Sequence, residues 1–295
     1  MLFKDQQHQA SFEKDGYVLL DNFYTHEQID QLNIKLDNFD QYTEAKIKGS
    51  DDTINSAEKG IFLTRHFVDL QLEEKIRAEL AHTANKALQK FLTTEYRSVA
   101  ALGILKLPDS PNSEVPMHVH HSNLKPGNLL PGLSMFAPLT DLTDALGPIA
   151  FIKGSQQLWR NNLSYSLTYM RESYPNIYPL MRSYLTTVTP KAGQAIVFDQ
   201  FTIHEGLPNT HSSLNRLAMT AEFIPTKDQC VLFLPTWGKD GEVESLSGKK
   251  VLRLPLEFSK KHRWVPEHLG DEVMKINNYQ PLEITKEKFL RCCRK

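Results

Sequence analysis

The sequence predicts a mainly β fold with supporting helices. The expected form is a double-stranded β-helix, the cupin-like jelly roll, with N-terminal helices packed on its major sheet. Three observations point there. From about residue 96, short runs rich in Val, Ile, Phe and Leu, such as VAALGILKL, GLSMFAPL, GPIAFIKG, AIVFDQF and RLAMTAEFIP, alternate with Gly, Pro, Asn and Asp. That texture belongs to sandwiches and barrels. Residues 1–95 read mainly as helical. Finally, His118 and His120 are spaced to share one face of a strand, and an isolated His204 sits in a second strand-like run. Two ligands close in sequence and one far away is how opposing strands of a small jelly roll meet at its open end.

Taken in order, SFEKDG is expected as a short helix with Ser11 as N-cap, and YVLLDNF as a strand. THEQIDQLNIKLDNF opens with Thr25 followed three residues later by Gln28, a capping-box pattern. Residues 43–60 are polar and turn-rich and read as a loop, and residues 69–92 carry the clearest helical pattern. The strands follow, interrupted by the tyrosine-rich stretch from Trp159 to Tyr184. That stretch is expected to be partly helical, with segment 156–185 and loop 43–60 covering the barrel mouth. VLRLPLEF, late in the chain, reads as one more strand. The expected organisation is a single domain over 1–295, with helical support at about 1–95, the jelly-roll core at about 96–235 and an extension at about 236–295.

Composition narrows the function classes. The chain has 295 residues, 40% hydrophobic and 23% charged, with a net charge of −1. No broad basic face is implied, so nucleic acid is not an expected partner. No apolar run is long enough to span a membrane, and the N-terminus has no apolar core of a signal peptide. Three cysteines without a spacing pattern argue against a disulfide framework, and a reducing cytoplasm is the expected location. Cys292 and Cys293, set among Arg and Lys, read as part of a solvated tail.

Imidazole suits Fe(II), Zn, Cu or Ni. Any single histidine is more often a hydrogen-bonded structural residue than a ligand, but the H-x-H pair with His204 at a strand end favours a metal. Arg216 begins the apolar strand RLAMTAEF. A buried guanidinium needs an anionic partner, and its planar fork matches a carboxylate in two places. A salt bridge to Asp or Glu is the plain reading, and a bound dicarboxylate the functional one. Glu205 is expected to point away from His204, and Asp141 and Asp144 read as turn or strand-end residues.

Together these residues resemble the phytanoyl-CoA dioxygenase-like family of Fe(II)- and 2-oxoglutarate-dependent oxygenases. FEKDGYVLLDNFYTHEQIDQL is similar to that family's opening helix–strand–helix, and MFAPLTDLTDALGPIAFIKGSQ to its central stretch. AGQAIVFDQFTIHEGLPNTHSSLNRLAMTAEFIP follows the family's order of Gly, Phe, distal His, Pro-Asn and carboxylate-binding Arg. The resemblance implies Fe(II) held by His118 and His204, with His120 standing at the place of the third ligand. It also implies 2-oxoglutarate held by Arg216, with Phe136 as an aromatic wall and Lys106 near the cosubstrate. The implied reaction uses O₂ and a small-molecule substrate, and releases succinate and CO₂.

Two departures stand out. The family's His-x-Asp or His-x-Glu is His118-Val119-His120 here, and the His of its Gly-Ser-His is Gln156. A carboxylate ligand lowers the site charge from +2 to +1, whereas three neutral imidazoles leave it at +2. Several readings of the first departure stay open. His120 ligates; or it swings aside; or the ligand segment is offset towards His121, Ser122 and Asn123; or the barrel binds a metal or dicarboxylate without turnover.

Overall fold

The computed structural model describes residues 1–36, 59–64, 70–120, 122–124, 127–159, 168–228, 230–234, 249–253, 272–276 and 282–295. The expected loop over 43–60 lies almost wholly outside them, as does His121.

Helix α1 (Gln6–Asp15) begins earlier than the sequence suggests. Asp5, not Ser11, is its N-cap, because the Asp5 carboxylate accepts from the backbone N–H of His8. It ends at Gly16, whose φ of 84° permits the left-handed cap and a bond from its N–H to the Phe12 carbonyl. Strand β1 (Tyr17–Leu20) follows. Helix α2 (His26–Leu36) opens with the expected capping box: Gln28 N–H donates to Thr25 Oγ1, and Thr25 N–H donates to Gln28 Oε1. After β2 (Ile61–Leu63) comes α3 (Leu70–Leu88).

The strand-rich core then runs through β3 (Tyr96–Lys106), β4 (Val115–Val119), β5 (Leu133–Pro138) and β6 (Ile149–Phe151). It continues through β7 (Thr168–Tyr169), β8 (Thr186–Val188), β9 (Ala195–Asp199), β10 (His204–Gly206) and β11 (Arg216–Pro225). Two short helices, α4 (Met170–Ser173) and α5 (Tyr178–Arg182), interrupt it. These strands form two antiparallel sheets. The major sheet has the order β1-β9-β5-β11-β3-β2, and the minor sheet β7-β4-β10-β6-β8. Strands β12 (Val231–Leu234), β13 (Lys249–Arg253) and β14 (Glu272–Ile276) make a separate three-stranded sheet, in which β13 overlaps the start of VLRLPLEF and the rest of that stretch lies outside the described residues.

Among the described residues, the three largest groups of buried apolar side chains sit in different places. Phe12, Leu32, Leu36, Leu80 and Leu88 of the helices pack with Val18, Met135, Val197, Met219 and Phe223 of the major sheet. The N-terminal helices therefore cover the outer face of that sheet, each fully buried Leu or Phe contributing about 1.5–3 kcal/mol. Between the sheets lie Phe136, Ile149, Phe151, Ile196, Phe198 and Ala218. The third cluster lies outside the minor sheet and corrects two expectations. Met117, Val119 and Ile203 alternate with the histidines and so face outward. Leu158, Trp159, Met170 and Met181 of the 156–185 region cover them. The described parts of that region thus serve mainly as the outer layer of the minor sheet, while 160–167 lie outside the described residues. Arg182 ties this layer down by donating to Glu205, whose side chain is buried on the outward side of β10.

Helix α6 (Lys286–Cys292) completes the same layer, with Thr285 as N-cap and Phe289 fully buried. The C-terminal cysteines are therefore not a solvated tail: Cys293 is buried and Cys292 half-buried. The amphipathic pattern of seven helical residues was hidden by the charges beside them. Burial pushes the Cys293 thiol up to about 12 and the Cys230 thiol up to about 11. Because the thiolate is the nucleophile, both are expected to react with a disulfide reagent at pH 8 only upon unfolding. Counting thiols released before and after denaturant checks this; rapid labelling of Cys293 in the native protein would contradict the packing.

Candidate active site

β4 and β10 are neighbours in the minor sheet, and their register sets His118 directly opposite His204. His120, two residues after His118, returns to the same inward side. Its backbone N–H donates to Gln200 O, which fixes the end of β4 against the chain entering β10. The result is a cluster in which one ring nitrogen from each of His118, His120 and His204 lies within 4.8 Å of the others. Ring centroids are 4.2 Å apart for His118 and His204, 4.8 Å for His120 and His204, and 5.3 Å for His118 and His120.

Hydrogen bonds orient each ring. Nδ1 of His118 lies 2.7 Å from Pro116 O, and Nδ1 of His204 lies 2.9 Å from Thr202 O. A carbonyl only accepts, so both Nδ1 atoms carry the proton and both Nε2 lone pairs are free to face inward. Nδ1 of His120 lies 2.8 Å from Ser134 Oγ and 3.3 Å from Glu222 Oε1. Burial holds the pKa of His118 down to about 4 and that of His204 well below its ordinary value, the latter helped by its histidine neighbours. Both are thus neutral, the form that binds metal.

The donor set suits a borderline divalent ion such as Fe(II) or Zn(II) on one face, with other positions open. Neither Asp141 nor Asp144 approaches it; both are exposed, and Asp141 instead caps the N–H of Ala192. Asn123, weighed as an offset ligand, donates to Glu222 Oε2 at 2.6 Å and is not among the clustered groups. Glu205 faces outward, as its place beside His204 predicts.

Arg216 begins β11 and pairs in register with Lys106 of β3. Both are essentially inaccessible to solvent. Lys106 Nζ donates to the carbonyls of Gly206 and Leu207, at 3.1 and 2.6 Å. Nε and Nη1 of Arg216 are buried without a hydrogen-bond partner among the described residues. The plain reading of Arg216 as one arm of a salt bridge therefore has no support among those residues. Its guanidinium lies 5.4 Å from the centroid of the Phe136 ring. Gly147 keeps the space beside the two cations clear: at φ 58°, a Cβ there would come within 3.4 Å of both Arg216 Nε and Lys106 Cδ. Burial lowers the Arg216 pKa to about 9, and burial followed by the Arg216 charge lowers that of Lys106 well below 10.5. Two buried cationic groups in register, one with unmade hydrogen bonds, suit an anionic partner.

The sequence reading missed three residues. Asn209, fully buried, donates to the carbonyls of Lys106, Leu107 and Leu214 and so anchors the chain between β10 and β11. Ser134 and Glu222 reach His120 from the major sheet. For Glu222 a signal existed: it stands six residues after Arg216, an even spacing that puts both on one face of the strand.

A family model described as phytanoyl-CoA dioxygenase (PhyH) matches residues 12–217. No curated protein matches the chain. Among solved structures, the non-heme alpha ketoglutarate dependent carbocyclase SnoK from nogalamycin biosynthesis has 15% identity and a TM-score of 0.56, covering 77% of this chain and 86% of its own. HygX from Streptomyces hygroscopicus, solved with nickel, 2-oxoglutarate and hygromycin B bound, has 13% identity and a TM-score of 0.53 over 81% and 94%. The non-heme alpha ketoglutarate dependent epimerase SnoN from nogalamycin biosynthesis has 15% identity and a TM-score of 0.53 over 77% and 84%. At such identities the likeness is one of fold, and the fold is the jelly roll expected from the sequence.

Proposed function

From the premise that the chain belongs to the phytanoyl-CoA dioxygenase family of non-haem Fe(II)- and 2-oxoglutarate-dependent oxygenases, we propose that it hydroxylates a small organic molecule. His118, His120 and His204 hold the iron, and Arg216, Lys106 and Phe136 hold 2-oxoglutarate, within one domain spanning the chain. The observation that carries this reading is the buried Arg216 with unmade hydrogen bonds, between the same two sheets as three inward-facing imidazoles. When bound, iron and 2-oxoglutarate supply O₂-dependent oxidation of a substrate, with succinate and CO₂ as by-products.

The chain's own residues have separable tasks. The three imidazoles face the metal through Nε2 while their Nδ1 atoms are held from behind. Arg216 forks onto the far carboxylate of 2-oxoglutarate, and Lys106 adds the second positive charge. Phe136 walls the cosubstrate, and the apolar residues between the sheets exclude water. Tyr169, whose ring centroid is 5.9 Å from that of His118, is a candidate to contact a substrate held beside the metal. A small-molecule substrate accords with a structural neighbour that carries hygromycin B.

Lys106 gives this reading a pH signature. Its pKa is depressed while the pocket holds no anion, because burial and Arg216 both disfavour its charge. A bound dianion favours the charged form and raises the pKa again. Between the two values, binding takes up a proton, so 2-oxoglutarate affinity falls as pH rises through that interval. Calorimetry in buffers of different ionisation enthalpy should show net proton uptake that disappears in Lys106→Met.

The reading as a whole is tested by anaerobic titration of the protein with Fe(II) and 2-oxoglutarate. The expected result is a weak visible charge-transfer band, followed on admitting O₂ by succinate formation that candidate substrates accelerate. Binding of 2-oxoglutarate that is indifferent to metal, with no succinate formed, would favour a barrel that binds without turnover.

A further inference from the structure

We propose that Glu222 is the positioning residue that supplies, from behind His120, the negative charge missing at the third ligand position; this rests on the metal centre proposed above. All three histidines have an oxygen at Nδ1, but for His118 and His204 it is a neutral backbone carbonyl. Among the described residues, only His120 has a carboxylate oxygen at Nδ1, Glu222 Oε1 at 3.3 Å, alongside Ser134 Oγ at 2.8 Å. The contact is sheltered, with the His120 and Glu222 side chains only 11% and 18% exposed. The second carboxylate oxygen of Glu222 is anchored by Asn123 Nδ2 at 2.6 Å. Asn123 is in turn tied to the chain beyond the barrel, because its carbonyl accepts from the N–H of Val231.

The register explains how this comes about. Glu222 of β11 pairs with Ser134 of β5, so two adjacent strands of the major sheet present both side chains to one ring from the minor sheet. A carboxylate 3.3 Å from Nδ1 favours a proton on that nitrogen and makes the opposite one more basic. It also changes the charge of the assembly. A divalent ion with three neutral imidazoles carries +2, and adding Glu222 brings the total to +1. That is the charge of the usual two-histidine, one-carboxylate site, with the anion one residue further out. The exchange of a ligand carboxylate for His120 is thereby offset in the same chain.

The experiment uses the full-length apoprotein, anaerobically and without 2-oxoglutarate, with Zn(II) affinity read by chelator competition and Co(II) absorption as the spectroscopic probe. Glu222→Gln keeps the size and loses the charge. It is expected to weaken Zn(II) binding by roughly 10- to 100-fold and to shift the Co(II) visible bands, with the circular dichroism spectrum unchanged. In a His120→Ala background the same substitution should have almost no further effect on affinity, since the route through the ring is gone. A folded Glu222→Gln protein that binds Zn(II) as tightly as the parent overturns the proposal. So does an equal loss in both backgrounds, which would mark Glu222 as a general structural support. If Glu222→Gln does not fold, Asn123→Ala removes the anchor and leaves the charge; a several-fold loss is then expected, and none would overturn the proposal. Parent protein that takes up neither metal would instead defeat the metal centre itself, and this inference with it.

Discussion

Arg216→Ala is expected to lower 2-oxoglutarate affinity by roughly two to three orders of magnitude, the usual loss when one partner of a buried charge pair is truncated. Metal uptake should survive, because Arg216 touches none of the three histidines in the set of ring contacts that holds them together. The folded apoprotein should not suffer much either. A buried guanidinium with Nε and Nη1 unpaired among the described residues already costs the fold desolvation energy that no anion among them repays. The melting temperature of the ligand-free variant should therefore equal or exceed that of the parent, while the increase produced by adding metal and 2-oxoglutarate shrinks. Arg216→Lys should recover only part of the affinity, since an ammonium cannot reproduce the two-point fork. Calorimetric titration with 2-oxoglutarate in the presence of Zn(II) decides the matter. Unchanged affinity in Arg216→Ala would remove the cosubstrate assignment while leaving the fold and the histidine cluster standing.

His118→Ala and His204→Ala are expected to abolish measurable metal binding. These two rings come from strands in direct register, so neither can be replaced by a neighbour sliding along its strand. Either truncation leaves two nitrogens, and the loss should exceed the roughly 10- to 100-fold typical of a group one shell removed from a metal. The readout is stabilisation by metal. A parent protein at a hundred times its dissociation constant gains about 2.7 kcal/mol, and both variants should gain nothing. Without metal their stability should fall modestly. Each loses one hydrogen bond to a backbone carbonyl, worth about 0.5–1.5 kcal/mol net, plus the packing of a ring. A variant that retains full metal-induced stabilisation would show that the cluster is an aromatic core feature.

The opposing behaviour of Ser11 and Thr25 shows where local sequence suffices. Thr25 and Gln28 form the capping box that their spacing announces, because both partners lie within one turn. Ser11 looked equally suited to start a helix, yet Asp5 starts it, because its carboxylate accepts from the backbone N–H of His8 and the helix runs on through Ser11 to Asp15. The C-terminal cysteines repeat the lesson. Their charged neighbours suggested solvent, but Phe289 and Cys293 face the covering layer of the minor sheet, which no local pattern reveals.

Sequence by itself determined the strand alternation, the inward pairing of His118 with His120, and the chain order of histidine and arginine that marks the family. These depend on two-residue periodicity and on residue chemistry, both of which are local. Tertiary structure alone decided that Arg216 has no acidic partner among the described residues, that Lys106 lies beside it, and that Glu222 stands behind His120. Those facts arise where strands distant in sequence come into register across two sheets. Side-chain spacing along one strand cannot specify which residues of another will face it.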